Sequence, residues 1–252
     1  MTRIILCGCN GKMGAAITEI VRERDDCAIV AGVDVNTAAA QDYPVYASVA
    51  EVREDADVMI DFSHPSALES ILDAAVKKQL PAVLCTTGYS DGQLEMIKKA
   101  SEKVAMFHSG NMSLGINLLI ALSRKAAQVL GDSFDVEIVE QHHHRKLDAP
   151  SGTALMIADA IREEVPYDAQ YIYDRHSVRQ KRDRSEIGIH SVRGGTIVGV
   201  HEVIFAGRDE VVSIRHTAQS RSVFAAGAVN AAVYMSGREP GCYDMGDVIS
   251  AT

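Results

Sequence analysis

Over the first hundred or so positions, short apolar runs alternate with stretches of helical spacing. The runs "RIILCGC" (3–9), "CAIVAGVDV" (27–35), "DVMIDFS" (57–63), "PAVLCTT" (81–87) and "VAMFHS" (104–109) have the length and Val/Ile content of strands. Between them, "GKMGAAITEIVRERD" (11–25) and "PSALESILDAAVKKQ" (65–79) have helical periodicity. Such alternation predicts βαβ units and a parallel sheet. "LGINLLIALSRKAAQVLG" (114–131) follows, with Leu114, Leu118, Ala121, Leu122, Lys125, Ala126 and Val129 near one face at helical spacing, which predicts a long helix.

Beyond it the pattern changes. "DVEIVEQHH" (135–143) reads as a strand and residues 151–164 as a helix, and "IGIHSVRGG", "TIVGVHEVIFAG" and "DEVVSIRHTAQ" read as strands joined by Gly-rich or acidic turns. A second, more antiparallel sheet is expected, with a domain break near residue 112. Glu163 to Glu186 is charged and aperiodic, as in a solvated loop or a mobile cover. "SVFAAGAVNAAVYMSGR" (222–238) is a helix rich in small residues, and "PGCYDMGDVIS" (240–250) reads as a tail.

With 252 residues, 47% of them hydrophobic, the chain can build a sizeable core. A formal charge of −9 and no dense basic stripe argue against a nucleic-acid partner. No apolar run approaches a membrane span, and the N-terminal run is too short for a signal peptide, so no membrane association and a cytoplasmic location are expected. Most of the five cysteines sit inside apolar runs and read as reduced core residues.

"GCNGKMG" (Gly8, Cys9, Asn10, Gly11, Lys12, Met13, Gly14) ends the first strand and opens the first helix. Glycines there let backbone approach a pyrophosphate, and the helix N-terminus favours an anion. The pattern is Gly-x-x-Gly-x-x-Gly, with Cys9 in place of the first glycine of the usual register; an ordinary glycine turn is the alternative. Asp34, twenty residues beyond Gly14 at the end of the second apolar run, suits an adenosine ribose. Two more loops fall at strand carboxyl ends, where a nicotinamide and its ribose would lie: Cys85, Thr86, Thr87 and Gly88, then Ser109, Gly110, Asn111 and Met112.

"EQHHHRKLDAPSGTA" (140–154) concentrates proton-carrying and anion-binding groups. In an extended strand, Glu140, His142 and His144 share a face and His143 takes the other. Lys146 falls in the following turn. Ser151 is a candidate N-cap, with Gly152 and Thr153 offering N–H groups to a carboxylate. Imidazoles, whose ordinary titration lies near neutrality, beside an ammonium and a carboxylate socket suit a small acidic substrate that needs a proton. Surface decoration and a metal site are the alternatives, but no Cys-x-x-Cys or His-Glu-x-x-His completes a ligand set, so no metal is expected.

Taken in order, "GCNGKMG", "TTG", "GNMSLGIN", "VEQHHHRKLDAPSGTA", "VRGGTIVGVHEVIFAG" and "HTAQSRSVFAAGAV" resemble the 4-hydroxy-tetrahydrodipicolinate reductases of lysine biosynthesis along nearly the whole chain. The resemblance implies an α/β protein. A Rossmann-type doubly wound parallel sheet (1–112, completed by 223–252) would bind NAD(P)H; Asp34, which suits two ribose hydroxyls, and Val35, which adds no cation, make NADH the preferred cofactor, with NADPH still accepted beside Lys12. A second α+β domain (113–222) would bind the dicarboxylate substrate and assemble a homotetramer. It implies His142 and Lys146 as acid/base and proton donor, and His143, Lys146, Ser151, Gly152 and Thr153 as substrate contacts. The chain departs from the family pattern at Cys85, commonly glycine, at "HSG" before Asn111, and at Val35, which is arginine in some relatives. Another Rossmann-type reductase of amino-acid metabolism does not explain "HHHRKLDAPSGTA", and a non-catalytic NAD(H)-binding regulator would not retain both His142 and Lys146.

Overall fold

The computed structural model describes residues 1–38 and 41–251; Thr252, the end of the expected closing segment, lies outside the described residues. The chain begins β1 (Thr2–Cys7), α1 (Lys12–Arg22), β2 (Cys27–Val33), β3 (Val45–Tyr46), β4 (Val58–Asp61), α2 (Leu68–Lys78), β5 (Ala82–Leu84), α3 (Asp91–Ser101) and β6 (Ala105–His108). It continues α4 (Leu114–Leu130), β7 (Asp135–His142), α5 (Gly152–Arg162), β8 (Gln170–Ile172), β9 (Glu186–Arg193), β10 (Gly199–Ala206) and β11 (Val211–Ala218), and closes with α6 (Ser222–Met235), β12 (Gly241–Tyr243) and α7 (Met245–Ser250). Two compact units result, Met1–Leu114 with the chain from Ser222 onward, and Gly115–Arg221.

The first unit is a seven-stranded parallel sheet in the order β12-β6-β5-β4-β1-β2-β3. Successive residues on a strand point to opposite faces, and both faces are covered here. Ile4, Leu6, Val58, Ile60, Val83 and Phe107 enter one core with Ile17 and Val21 of α1 and the small residues of α6. Ile5, Cys7, Met59, Ala82, Leu84 and Met106 enter another with Leu68, Ile71 and Leu72 of α2 and Ile97 of α3. This is the doubly wound arrangement expected from the alternating runs. The small residues of α6 have a steric purpose: a side chain at Gly227 would run into the Met112 carbonyl, so the helix lies directly against the loop after β6.

Residues 240–250 are not a plain tail. β12 pairs with β6 as the seventh strand, and Asp244 caps α7 by accepting from the Gly246 and Asp247 N–H groups. An open parallel edge is what turns three residues of weak strand character into a strand.

The second unit is a five-stranded sheet, β11-β10-β7-β9-β8. It is mixed: β10 runs antiparallel to β11 and β7, whereas the β7·β9 and β8·β9 pairs are parallel. One face packs on α4 and α5 through Val136, Ile138, Ile187, Ile189, Val203 and Phe205. α4 forms as expected, but its buried residues are Ile116, Leu119, Ser123 and Ala127, while Leu118, Leu122 and Val129 of the expected stripe are exposed. Both stripes are apolar enough to serve, and the packing partner selects one.

The charged stretch 163–186 is also more ordered than a solvated loop. It holds β8, and Arg182 donates to the Val136 carbonyl at 3.1 Å, to Asp135 at 2.8 Å and to Glu137 at 3.1 Å, as well as to the Glu186 carbonyl. Arg175 pairs with Glu137 and Glu186. Glu137 lies across its register partner Gly188, where a Cβ would leave it no room.

Candidate active site

In the first unit the glycine turn is shaped by backbone sterics. Gly8 has φ +76°, and a Cβ there would sit 2.6 Å from the Phe62 carbonyl oxygen, so glycine is required. The Gly11 N–H donates to the Gly8 carbonyl, and α1 then opens with no side-chain cap, its N-terminus left to backbone groups. Asp34 follows β2, and its carboxylate accepts the Asn10 N–H at 3.1 Å and the Asn36 N–H at 3.0 Å. The acid and the glycine turn are therefore held together. Val35 beside them is fully exposed.

Two cavities lie at the carboxyl ends of the strands. One, about 440 Å³, is lined by Gly8, Gly11, Asp34 and Val35 with Ser48 and Val49. The other, about 630 Å³, is lined by Met13, Cys85, Thr86, Thr87, Gly88, Ser109, Gly110, Asn111 and Met112. Phe62, Ser63 and His64 line both. The groups fit a dinucleotide, with a ribose acceptor at one end, a small-residue loop cluster at the other and an uncapped helix start between. Beneath the second cavity, buried Asp61 accepts from the Ser63 N–H and hydroxyl and from the hydroxyls of Thr86 and Tyr89. Burial pushes its carboxyl up, against those hydrogen bonds.

Of the residues expected to hold the dinucleotide, Cys9, Asn10 and Lys12 line neither cavity. The Cys9 thiol points into the core, where a Cβ on Gly32 would lie 2.7 Å from its sulfur, and burial raises it to about 11. Any part it plays in binding is through backbone. Cys85 is likewise a buried thiol, pushed well up by burial.

In the second unit, the inner face of the sheet changes character along its length. Past Ile138, Ile189 and Val203 it becomes Glu140, His142, Ser191, Arg193, His201 and His216, neighbours by strand register. Glu140 is fully buried and His142 nearly so. β7 ends at His142, and the chain turns through His144 and Arg145, which are exposed. The shared face expected for Glu140, His142 and His144 therefore holds for the first two only. His143 lies just beyond the strand, and burial together with Arg145 lowers its pKa.

Lys146 donates to Asp148 at 2.9 Å and has a largely covered side chain. Ser151 caps α5 as expected, its hydroxyl accepting the Ala154 N–H at 3.2 Å. The same hydroxyl meets His201 Nε2 at 3.0 Å. Gly152 opens the helix with nothing within 4 Å of where a Cβ would be, and Thr153 follows in the first turn.

Comparison with known proteins matches residues 2–112 to the N-terminal and residues 115–249 to the C-terminal model of dihydrodipicolinate reductase. The chain belongs to this family. The 4-hydroxy-tetrahydrodipicolinate reductase of Caldanaerobacter subterraneus is 51% identical over 99% of this chain and 98% of its own length, and that of Clostridium tetani 48% over 97% and 96%. Among solved structures, dipicolinate-bound dihydrodipicolinate reductase from Paenisporosarcina sp. TG-14 superposes with a TM-score of 0.81, at 27% identity, over 97% of each chain. A probable dehydrogenase from Thermotoga maritima shares the fold at 14% identity and a TM-score of 0.60.

Some residues at these two candidate sites were not singled out by reading along the sequence. "DFSHP" (61–65) ends an apolar strand, so the rule that ligands gather at strand carboxyl ends points to Phe62, Ser63 and His64. Arg193 and His201 have no such local signal, because they come to Glu140 and His142 only through strand pairing.

Proposed function

We propose that the chain reduces 4-hydroxy-tetrahydrodipicolinate to tetrahydrodipicolinate, each turnover consuming one hydride and one proton and releasing water, in the diaminopimelate route to lysine. What supports this reading is that β7 ends at His142, whose following turn carries Lys146 and leads directly into the Ser151-capped start of α5, in a chain whose other unit has the features of a dinucleotide site. The bound nicotinamide supplies the hydride. Gly8, Gly11 and Asp34 would hold its adenosine side, and Thr86, Thr87, Gly88 and Asn111 its nicotinamide side.

The chain's own work is to bind the diacid and move the proton. Gly152 and Thr153 take a substrate carboxylate at the helix start, where the backbone dipole favours an anion, and His143 adds a contact. Hydride addition leaves electron density toward the ring nitrogen, which the Lys146 ammonium stabilises as it gives up a proton, with His142 as the acid/base partner. Asp148 keeps Lys146 close to the turn. The planar diacid bound by the Paenisporosarcina relative should compete with substrate here as well.

NADH is preferred and NADPH accepted: the Asp34 carboxylate suits two ribose hydroxyls and repels a 2′-phosphate, Lys12 offsets part of that repulsion, and Val35 adds no cation. Residues 113–222 act as the substrate-binding and oligomerisation domain. Copies meet through the outer face of its sheet, where Val192 and Val211 are exposed, to give a homotetramer, which light scattering would measure.

The test of the reaction is to generate substrate from pyruvate and aspartate semialdehyde with the preceding synthase and to follow NADH or NADPH absorbance. Lys146→Ala and His142→Gln should lower kcat by about a hundredfold to ten-thousandfold with NADH binding nearly intact. Folded variants that turn over within a few-fold of the parent would remove both residues from the mechanism.

A further inference from the structure

Two residues before His142 on the same face of β7, Glu140 is fully buried and bonds to groups from three elements. Its Oε2 accepts from His142 Nδ1 at 2.5 Å and from Arg193 at 2.8 Å. Its Oε1 accepts from the other Arg193 nitrogen at 2.6 Å and from the Ser151 N–H at 3.2 Å. Four donors thus converge on one carboxylate from β7, from β9 and from the start of α5.

An ionised carboxylate can only accept, so the imidazole nitrogen facing it must carry the hydrogen. Burial would raise the Glu140 carboxyl, but Arg193, Ser191 and His142 together hold it at about 2. On the far side of the ring, Nε2 lies against Gly199, and His201 stands edge-on to the imidazole with centroids 5.2 Å apart. The ring is held on both sides.

We propose that Glu140 is a positioning residue for the reaction: it fixes His142 in the Nδ1–H form so that Nε2 exchanges the proton, and its other oxygen anchors the start of α5 where the substrate carboxylate binds. This rests on the acid/base reading of His142 given above. An ion pair that merely staples β7 to β9 would need Arg193 alone. Here one oxygen is shared with the imidazole and the other with the helix start, so proton transfer and carboxylate binding are registered to one buried group.

Nitrogen-15 NMR of the histidine rings, with His142→Gln to assign the signal, reads the tautomer directly. The unsubstituted protein should show His142 protonated at Nδ1 when neutral. In Glu140→Gln the new amide N–H₂ meets an Arg193 donor on either side, but on the Oε1 side it would also meet the Ser151 N–H, which cannot reverse, whereas the imidazole can; it therefore takes the side facing His142, and the ring switches to the Nε2–H form. kcat should then fall on the order of a hundredfold to ten-thousandfold, the range expected for losing an acid/base group or its correct tautomer, while NADH binding followed by fluorescence stays unchanged.

A parent His142 protonated at Nε2 would overturn the proposal, and that measurement stands even if Glu140→Gln does not fold. So would a folded Glu140→Gln that keeps the Nδ1–H form or turns over within a few-fold of the parent. Full activity in His142→Gln would instead remove the acid/base reading itself, and so fails separately from the tautomer result.

Discussion

Acidification should destabilise the second unit through His201 in particular. This imidazole is 4% exposed, its Nδ1 has no hydrogen-bond partner among the described residues, and it faces His142 and, across the strand pair, His216. Burial, then the nearby His142, lowers it from 6.5 to about 4, with Glu140 pulling the other way. The unfolded chain therefore takes up a proton at this position near pH 6.5, and the folded chain only near pH 4. Between those values the unfolded state binds more protons, so stability falls as the pH falls. At about 1.4 kcal/mol per pKa unit, the whole shift is worth about 3 kcal/mol, most of it lost by pH 4.5. Glu140, held at about 2, adds its own loss mainly below that window.

His201→Gln keeps an amide within reach of the Ser151 hydroxyl but cannot protonate. Urea unfolding followed by circular dichroism at pH 7.5 and 4.5 gives the stability lost by each protein. The parent should lose more than the variant by about 2 to 3 kcal/mol. Losses equal within about 0.5 kcal/mol, the scale at which surface effects and fitting error lie, would show that His201 protonates freely in the folded state and that its burial does not control its charge.

Gly199→Ala brings a methyl to 3.2 Å from His142 Nε2, so kcat should fall about tenfold to a hundredfold in the coupled assay, with NADH affinity unchanged. Asp34→Ser should shrink or reverse an NADH preference of roughly 1 to 2 kcal/mol, measured as the ratio of kcat/KM for the two cofactors at one ionic strength. A strong NADPH preference in the parent would show that Asp34 does not serve the ribose. Arg182→Ala removes donors to three backbone carbonyls and two carboxylates, so hydrogen exchange should quicken in residues 173–185 and the melting temperature should drop, while exchange in the first unit stays as it was.

What the chain itself determines is whatever depends on neighbours a few residues apart. The alternating apolar runs define the parallel sheet, the glycines at 8 and 11 define the turn between β1 and α1, and Ser151 ahead of an apolar-periodic stretch defines the cap of α5, because torsional freedom, period and capping are local properties. His142 and Lys146 stood out for the same reason, as dense chemistry in one short turn. Tertiary structure decided the rest. Only the sheet beneath α4 chose Ile116, Leu119, Ser123 and Ala127 over Leu118, Leu122 and Val129. Only an unpaired edge beside β6 made residues 241–243 a strand. Arg182 reaches Asp135 and Glu137 from more than forty positions away, and strand register sets His201 beside Glu140 and Arg193 beside His142, from where Arg193 reaches the Glu140 carboxylate. Register is a relation between distant segments, fixed by how their faces pack together, and no window along a single strand contains it.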